Sequence, residues 1–454
     1  MIERLRLFFR KVMYALRGGF LVRPLLISVG FGLAGMTLSS LEESHPVLSA
    51  WVPDALFPSR SDPQVVQLML ATTAASVMTV VSIVFAILLM TLTLASMQFS
   101  PRILVSFVRD RVTQWTLGLF LGTFLYCLSA LPAARSLPHP FSPVATVTGG
   151  MVLALASVIG LIFFIHHISQ AISVTHIVDR IARETENVID ELMPHEIRNA
   201  DRARLSTIDP EGPEFAVLSL VSGYIRYIDT KQLLDLAKTY RLRVRVLRRV
   251  GHFVPEGVRL FSVSRQDRLS AERSAELLRA FDIGPSRTMQ QDFEFGVLQI
   301  VDIALKAISP AVNDPSTAIN CVDQLGRILI RWASREPPQP IFYDPPHVAR
   351  LIVPWTGFAG LLDLAIEQIR HYAASDAVVS LRLLRSLDDV AATLDNRERL
   401  DELVARGRRI VEGCATRLVP QETARLRERL AQLERRQVTA HMGAQIDDAA
   451  RMRV

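Results

Sequence analysis

The sequence predicts a membrane α-helical protein with four transmembrane helices, plus a cytoplasmic α+β region holding a small β-rich module and a C-terminal helical bundle. Three observations carry that prediction. The 454 residues are 50% hydrophobic and 21% charged, and the charges are sparse before about Arg180 and dense after it. Four long apolar runs fill the sparse part, and a bilayer core takes about 20 apolar residues as a helix. The dense part alternates polar and apolar residues for a stretch and then turns helix-periodic, the marks of strands and of amphipathic helices.

Residues 1–23 read as a basic interfacial helix. Ile2, Leu5, Phe8, Phe9, Met13 and Leu16 fall near one face with basic residues around them, the pattern of a helix lying in the membrane surface. The transmembrane domain, 24–168, holds spans at 24–41, 63–101, 112–134 and 140–165. The second is uncharged throughout. As a helix it would extend roughly 58 Å, close to twice the hydrocarbon thickness.

Loop charges set the orientation. Arg4, Arg6, Arg10, Lys11, Arg17 and Arg23 precede the first span, while Glu42, Glu43, Asp54 and Asp62 face Arg60 in the loop after it. Arg102, Arg109 and Arg111 follow the second span, Arg135 alone the third, and Arg180 and Arg183 the fourth. The positive-inside rule then puts both termini in the cytoplasm. The small-x-small site in "VLSAW" lies beyond the acidic residues, too far from the apolar stretch for signal-peptide cleavage. Cys127, Cys321 and Cys414 are too few and scattered for a disulfide framework or a zinc ribbon.

Residues 169–213 form a connecting helix that continues the fourth span, then a charged linker with prolines and a glycine. The β-rich module, 214–265, reads as β, β, α, β, β, with Asp229 capping the helix "TKQLLDLAKTY". Its "VSGYIRYID" and "GHFVPEGVRLF" resemble barrel-sandwich modules related to lipoyl and biotinyl domains. The hairpin lysine that those domains modify has no match here, so the resemblance implies the fold alone. Arg241, Arg243 and Arg245 share one face of a strand. They are candidates for an anionic lipid headgroup or a small phosphorylated ligand; the alternative is a solvated face whose charge discourages edge pairing. Residues 266–437 are expected to be helical, apart from the proline-rich loop "REPPQPIFYDPP", and 438–454 form a tail.

The helix after Arg287 has Phe293, Val297, Ile300, Val301, Ala304 and Ile308 on one face and Asp292, Phe295, Gln299, Asp302 and Lys306 on the other. The second face is either a solvent stripe or a buried polar seam. "SPAVNDPSTA" follows, in which Pro315 suits a first helical turn and Asp314 its N-cap. Asn313 suits an Asx turn or a left-handed backbone. A ligand clamp is the rival reading. No nucleophile elbow, P-loop, dinucleotide fingerprint or His-Glu-x-x-His is present. His166, His167 and His176 mark the membrane boundary. In the second span Thr72, Ser76, Thr79 and Ser82 fall near one side; such a stripe lines water or packs helices closely.

"SMQFSPRIL", "FVRDRVTQWTLGLFLGTFLYCL" and "SRTMQQDFEFGVLQIVDIALKAISPAVNDPSTAINCVDQL" closely resemble a family of bacterial predicted membrane proteins, a domain of unknown function. The likeness covers nearly the whole chain. The family pattern falls at Gln98, Phe99, Ser100, Pro101 and Arg102. It falls again at Arg287, Thr288, Gln291, Asp292, Phe295, Gly296, Gln299, Asp302, Ser309, Pro310, Asn313, Asp314 and Pro315. The resemblance implies a multi-pass protein of the bacterial inner membrane and brings no substrate, cofactor or mechanism.

The expectation is an oligomeric ion channel or transporter with a large cytoplasmic regulatory domain, the oligomer axis running along the second span. The alternative is a structural or sensory scaffold with a cytoplasmic binding platform. An enzyme using Asp292, Asp302 and Asn313 with Arg287 ranks below both. No cofactor, metal or nucleic acid is expected. The expected partners are the lipid bilayer, further copies of the chain, and an anionic lipid or small ligand.

Overall fold

The structure is a computed structural model that describes residues 22–45, 49, 52, 62–98, 111–135, 140–171, 173–193, 214–335, 340–345, 348–394 and 396–451, without the side chains of 94–98, 171 and 440–451. The expected interfacial helix, the 194–213 linker and most of the Phe99–Arg102 motif's surroundings fall outside these residues. The chain divides into two compact units, Met1–His176 and Ile177–Val454.

The first unit contains helices α1 (Val22–Ser44), α2 (Pro63–Gln98), α3 (Arg111–Ala130) and α4 (Val144–Ala171). Among the described residues, all four are long and apolar enough to cross a membrane. The 36 residues of α2 give about 54 Å of unbroken helix. Glycine brings α1 onto α3: a Cβ on Gly35 would lie 2.5 Å from the Tyr126 carbonyl oxygen. Ser129 Oγ also donates to the Gly32 carbonyl at 2.7 Å. Val66, Leu70 and Ala74 of α2 bury against Tyr126, Cys127 and Val147. Val77, Val81 and Val84 bury against Leu117, Phe120 and Phe164.

The fourth span does not run on as one helix. It ends at Ala171, where the Ser173 amide bonds the Gln170 carbonyl at 3.0 Å. A separate amphipathic helix, α5 (Val174–Leu192), follows.

In the second unit, strands β1 (Phe215–Leu218), β2 (Gly223–Ile228), β3 (Val244–Val246), β4 (Phe253–Val254) and β5 (Arg259–Val263) surround helix α6 (Thr230–Thr239). Asp229 caps α6 by accepting from the Gln232 amide. Helix α7 (Ala271–Leu278) leads to β6 (Phe281–Gly284), and a hairpin of β7 (Ile341–Asp344) and β8 (Val348–Ile352) comes later in the chain. The strands form a five-stranded sheet, β1-β5-β3-β8-β7, and a three-stranded one, β4-β2-β6. Ile225, Leu233, Val244, Phe261, Phe281 and Leu351 share their common core.

Three expectations change here. β6 lies where a helix end was expected, and β7 and β8 lie in and beyond the proline-rich loop. β8 pairs with β3 in parallel, so no boundary at 265 separates strands from helices. The module is therefore not a self-contained barrel-sandwich: α6 contributes Leu233 and Ala237 to its core, and three strands come from beyond residue 265. Finally, the strand bearing the arginines is central, paired on both sides by β5 and β8, and Arg241 precedes it in a left-handed turn at φ 51°.

The remaining helices are α8 (Phe293–Ala307), α9 (Pro315–Ala333), α10 (Phe358–Tyr372), α11 (Ala377–Ala391), α12 (Arg397–Cys414) and α13 (Pro420–Arg451). A ladder of ion pairs fixes α5 to α9. Arg327 Nε bonds Glu186 at 2.9 Å and its Nη1 bonds Asp179 at 3.0 Å. Arg331 and Arg335 share Asp190. Those arginine bonds hold the Asp190 carboxyl below the usual carboxylate range.

Candidate functional site

The polar centre of the second unit gathers at the start of α8. Asp292 is the N-cap: its Oδ1 accepts from the Phe295 amide at 3.0 Å. Arg287 grips the same carboxylate with both arms, Nε to Oδ2 and Nη2 to Oδ1, each at 2.8 Å. Asp292 is 3% exposed, and a buried carboxylate persists when fully paired. The guanidinium also lies 5.4 Å from the Phe295 ring centroid. Gly251, at φ 86°, passes so close to this pair that any Cβ would strike it. Gln291 clamps the end of β2, accepting from the Ile228 amide at 2.9 Å and donating to the Ile228 carbonyl at 3.3 Å.

Glu294 lies in the next turn position. Burial pushes its carboxyl up, against the pull of Arg249, whose Nη2 is 3.3 Å from Glu294 Oε1. Thr356 Oγ1 donates to the same oxygen. Arg249 Nε in turn donates to His252 Nε2 at 3.0 Å. Burial first, and then Arg249, push the His252 imidazole below its ordinary value. Arg249, Glu294 and Thr356 edge a cavity of about 40 Å³ that also meets Trp355, far below the roughly 300–1,000 Å³ of ligand pockets.

The polar face of α8 is interior rather than a solvent stripe. Phe295 and Gln299 are buried, and Asp302 and Lys306 are half-buried. Both faces are covered because α8 packs on α9 and α10, while Gly296 meets Thr185 of α5.

At the far end of α8, Asn313 takes the left-handed backbone at φ 50°, and the Asp314 amide bonds the Ala307 carbonyl at 2.8 Å. Asp314 caps α9 by accepting from Thr317, N–H to Oδ1 at 3.1 Å and Oγ1–H to Oδ2 at 2.6 Å. Those bonds hold its carboxyl below the usual range, the hydroxyl bond contributing most. Asp292 and Asn313 thus stand at opposite ends of a 15-residue helix, about 22 Å apart along its axis. The arrangement does not bring Arg287, Asp292, Asp302 and Asn313 to one point. Among the described residues, no group of three or more His, Cys, Asp or Glu is placed to hold a metal.

Thr72, Ser76, Thr79 and Ser82 of α2 are exposed, on the side of the helix away from its own bundle. Thr72, Thr79 and Ser82 donate to carbonyls one turn back, at 2.7 to 3.1 Å. Arg243 and Arg245 are half-buried beside β3, and Arg245 pairs with Glu214 at 2.8 Å. The Gln98 side chain, Ser100, Pro101 and Arg102 lie outside the described residues.

Sequence reasoning missed Glu42, taken as a loop charge. It lies in the last turn of α1, 1% exposed, and caps α4. It accepts from Ala145 N at 2.7 Å, and from Thr146 N and Oγ1 at 2.9 Å each. Its neighbour Glu43 pairs with Arg135. The lone signal was an acidic pair directly abutting an apolar run. Arg249, His252, Glu294 and Thr356 were also missed, because they meet only in three dimensions.

Four apolar helices with a packed interior, joined to an α+β unit, define a multi-pass membrane protein. The chain belongs to the family described as predicted membrane protein, DUF2254, which matches residues 17–389. "Uncharacterized protein Mb1321c" of Mycobacterium bovis is 33% identical over 383 residues, covering 83% of this chain and 72% of its own length. "Uncharacterized protein Rv1290c" of Mycobacterium tuberculosis matches with the same identity and coverage. No solved structure gives a significant match.

Proposed function

We propose that the protein is a homo-oligomeric channel or transporter of the bacterial inner membrane, with both termini and a non-catalytic regulatory unit in the cytoplasm. One observation carries the reading. One apolar edge of α2, at Val66, Leu70, Ala74, Val77, Val81 and Val84, is covered by its own bundle, and the hydroxyls of Thr72, Ser76, Thr79 and Ser82 are left outward, among exposed apolar side chains such as Leu68 and Met78. Copies meeting along that outward side would place those hydroxyls around their axis. Within one chain, the core at Val77, Val81, Leu117 and Phe120 is filled, so a path would have to run between copies. The alternating basic loops support the orientation.

Cysteine accessibility tests it. In Cys127→Ala protein reconstituted in liposomes, cysteines at Thr72, Ser76 and Thr79, which lie within about 60° on a helix, should react with small water-soluble thiol reagents. Reaction should reduce ion flux. A cysteine at Val81, 2% exposed, should stay silent. Unreactive positions in a correctly assembled oligomer overturn the path.

The scaffold reading has its own support. The hydroxyls of Thr72, Thr79 and Ser82 bond their own backbone, so they need no water and can pack against lipid or another helix. On that reading the second unit is a binding platform and no flux is measured.

A further inference from the structure

The second unit carries a concentrated apolar surface at one end of its β-layer. Of its eleven exposed large apolar side chains among the described residues, five lie there: Leu218, Leu220, Val221, Leu247 and Phe253. The other six are scattered, which single surface apolar residues commonly are. The pairing explains the concentration. Leu218 ends β1 opposite Arg259, which opens β5. The Leu247 amide, just past β3, bonds the Leu260 carbonyl at 3.0 Å. Phe253 pairs with Tyr224 at the start of β2, their rings 5.2 Å apart.

The loop between β1 and β2 forms the tip, with Leu220 69% exposed. Several of its polar groups bond within the same end of the layer. Ser219 N donates to Val258 O at 2.9 Å, and Gly257 N donates to Ser219 O at 2.9 Å. Ser219 Oγ bonds Val221 O at 2.7 Å, and Ser222 Oγ accepts from Glu256 N at 2.9 Å. A loop tied in this way can enter a low-dielectric zone without stranding these backbone groups. Arg248 and Arg259 are exposed beside it, against one exposed acid, Glu256.

We propose that this end of the β-layer contacts an anionic bilayer surface, with Leu220 and Val221 in the interfacial zone and Arg248 and Arg259 against the headgroups. Exposed apolar patches of this kind mark interaction sites. Apolar residues ringed by basic ones suit an anionic membrane, and the same chain is already held at a membrane by its first unit. The assignment holds whether the protein conducts ions or serves as a scaffold.

The test uses the full chain in liposomes containing anionic phosphatidylglycerol. Leu220→Cys carries a polarity-sensitive fluorophore, and Lys231→Cys, at the opposite end of β2, is the reference. The native cysteines are all buried. Nitroxide-bearing lipid should quench the Leu220 probe several-fold more than the Lys231 probe, while aqueous iodide should do the reverse. R248E with R259E, or neutral phosphatidylcholine alone, should reduce the lipid quenching without lowering the melting temperature. Equal access of iodide to both probes overturns the proposal. A Leu220 probe shielded from both quenchers also overturns it, by assigning the surface to another protein copy. Undiminished quenching in neutral vesicles overturns the anionic assignment.

Discussion

Gly296 of α8 packs directly on Thr185 of α5: a Cβ built on the glycine falls inside the Thr185 hydroxyl and 3.1 Å from the threonine Cβ. Overpacking of this kind costs about 1–3 kcal/mol. Gly296→Ala should therefore lower the melting temperature of the detergent-solubilised protein. Thr185→Ala in the same chain should restore part of it, because, among the described residues, the Thr185 Oγ1 bond goes to its own helix, at Ile181 O. Strictly additive losses would show that the two residues do not limit each other.

Asp292 serves as cap and counter-ion together. Removing one partner of a buried pair costs about 3–5 kcal/mol, so Asp292→Ala should impair folding or melt far below wild type. Asp292→Asn keeps the cap acceptor and should fall between. Arg287→Lys should not restore the loss seen in Arg287→Ala, because an ammonium cannot make the two parallel bonds. A wild-type melt for Arg287→Lys would sink the bidentate account.

His252 gives a pH dependence whose sign is fixed. Its folded-state value lies below the ordinary 6.5, so its contribution is present above 6.5 and is lost as pH falls through the folded value. The accepted bond from Arg249 Nε requires the unprotonated Nε2. Melting followed from neutral pH downward should fall in wild type, and His252→Gln should remove that component. An unchanged pH profile in the variant would assign the loss elsewhere.

Asn313 holds a left-handed backbone, which costs an ordinary L-residue about 1–2 kcal/mol. Asn313→Gly should be tolerated and Asn313→Ala should destabilise, as read by thermal melting. The reverse order would show that the asparagine side chain itself is the requirement.

Glu42 closes the N-terminus of α4. Glu42→Ala should lower stability by at least the 0.5–2 kcal/mol typical of about one lost cap, and expose the 131–143 connection to protease. Glu42→Gln keeps one acceptor and should lose less. Equal melting of all three proteins would remove the cap from the account.

Much of the membrane unit was legible because a bilayer imposes a length and a polarity on each span. The boundaries at Val22–Ser44, Pro63–Gln98, Arg111–Ala130 and Val144–Ala171 lie within a few residues of the apolar runs. The caps at Asp229 and Asp314 were readable for a related reason: a short acceptor beside a helix start acts within three residues. Asp292, which the sequence placed on a helix face, is instead the cap of α8. Strand pairing was not readable in the same way. β3 and β8 are about a hundred residues apart, and two short apolar segments carry no mark of which partner each will choose. A stretch as short as "FDIG" also fits a helix end as well as an edge strand.

The sequence by itself determined which segments suit lipid and where the helices capped by Asp229 and Asp314 begin, since each depends on composition or neighbours along the chain. Tertiary structure alone decided what those residues touch. It placed Asp292 and Asn313 at opposite ends of α8, buried Glu42 on a helix terminus a hundred residues away, and gathered Leu218, Leu247 and Phe253 at one end of the β-layer. The physical reason is common to all three. Burial, ion pairing and surface patches depend on distance in space, and the chain sets that distance only after every long-range strand and helix contact has formed.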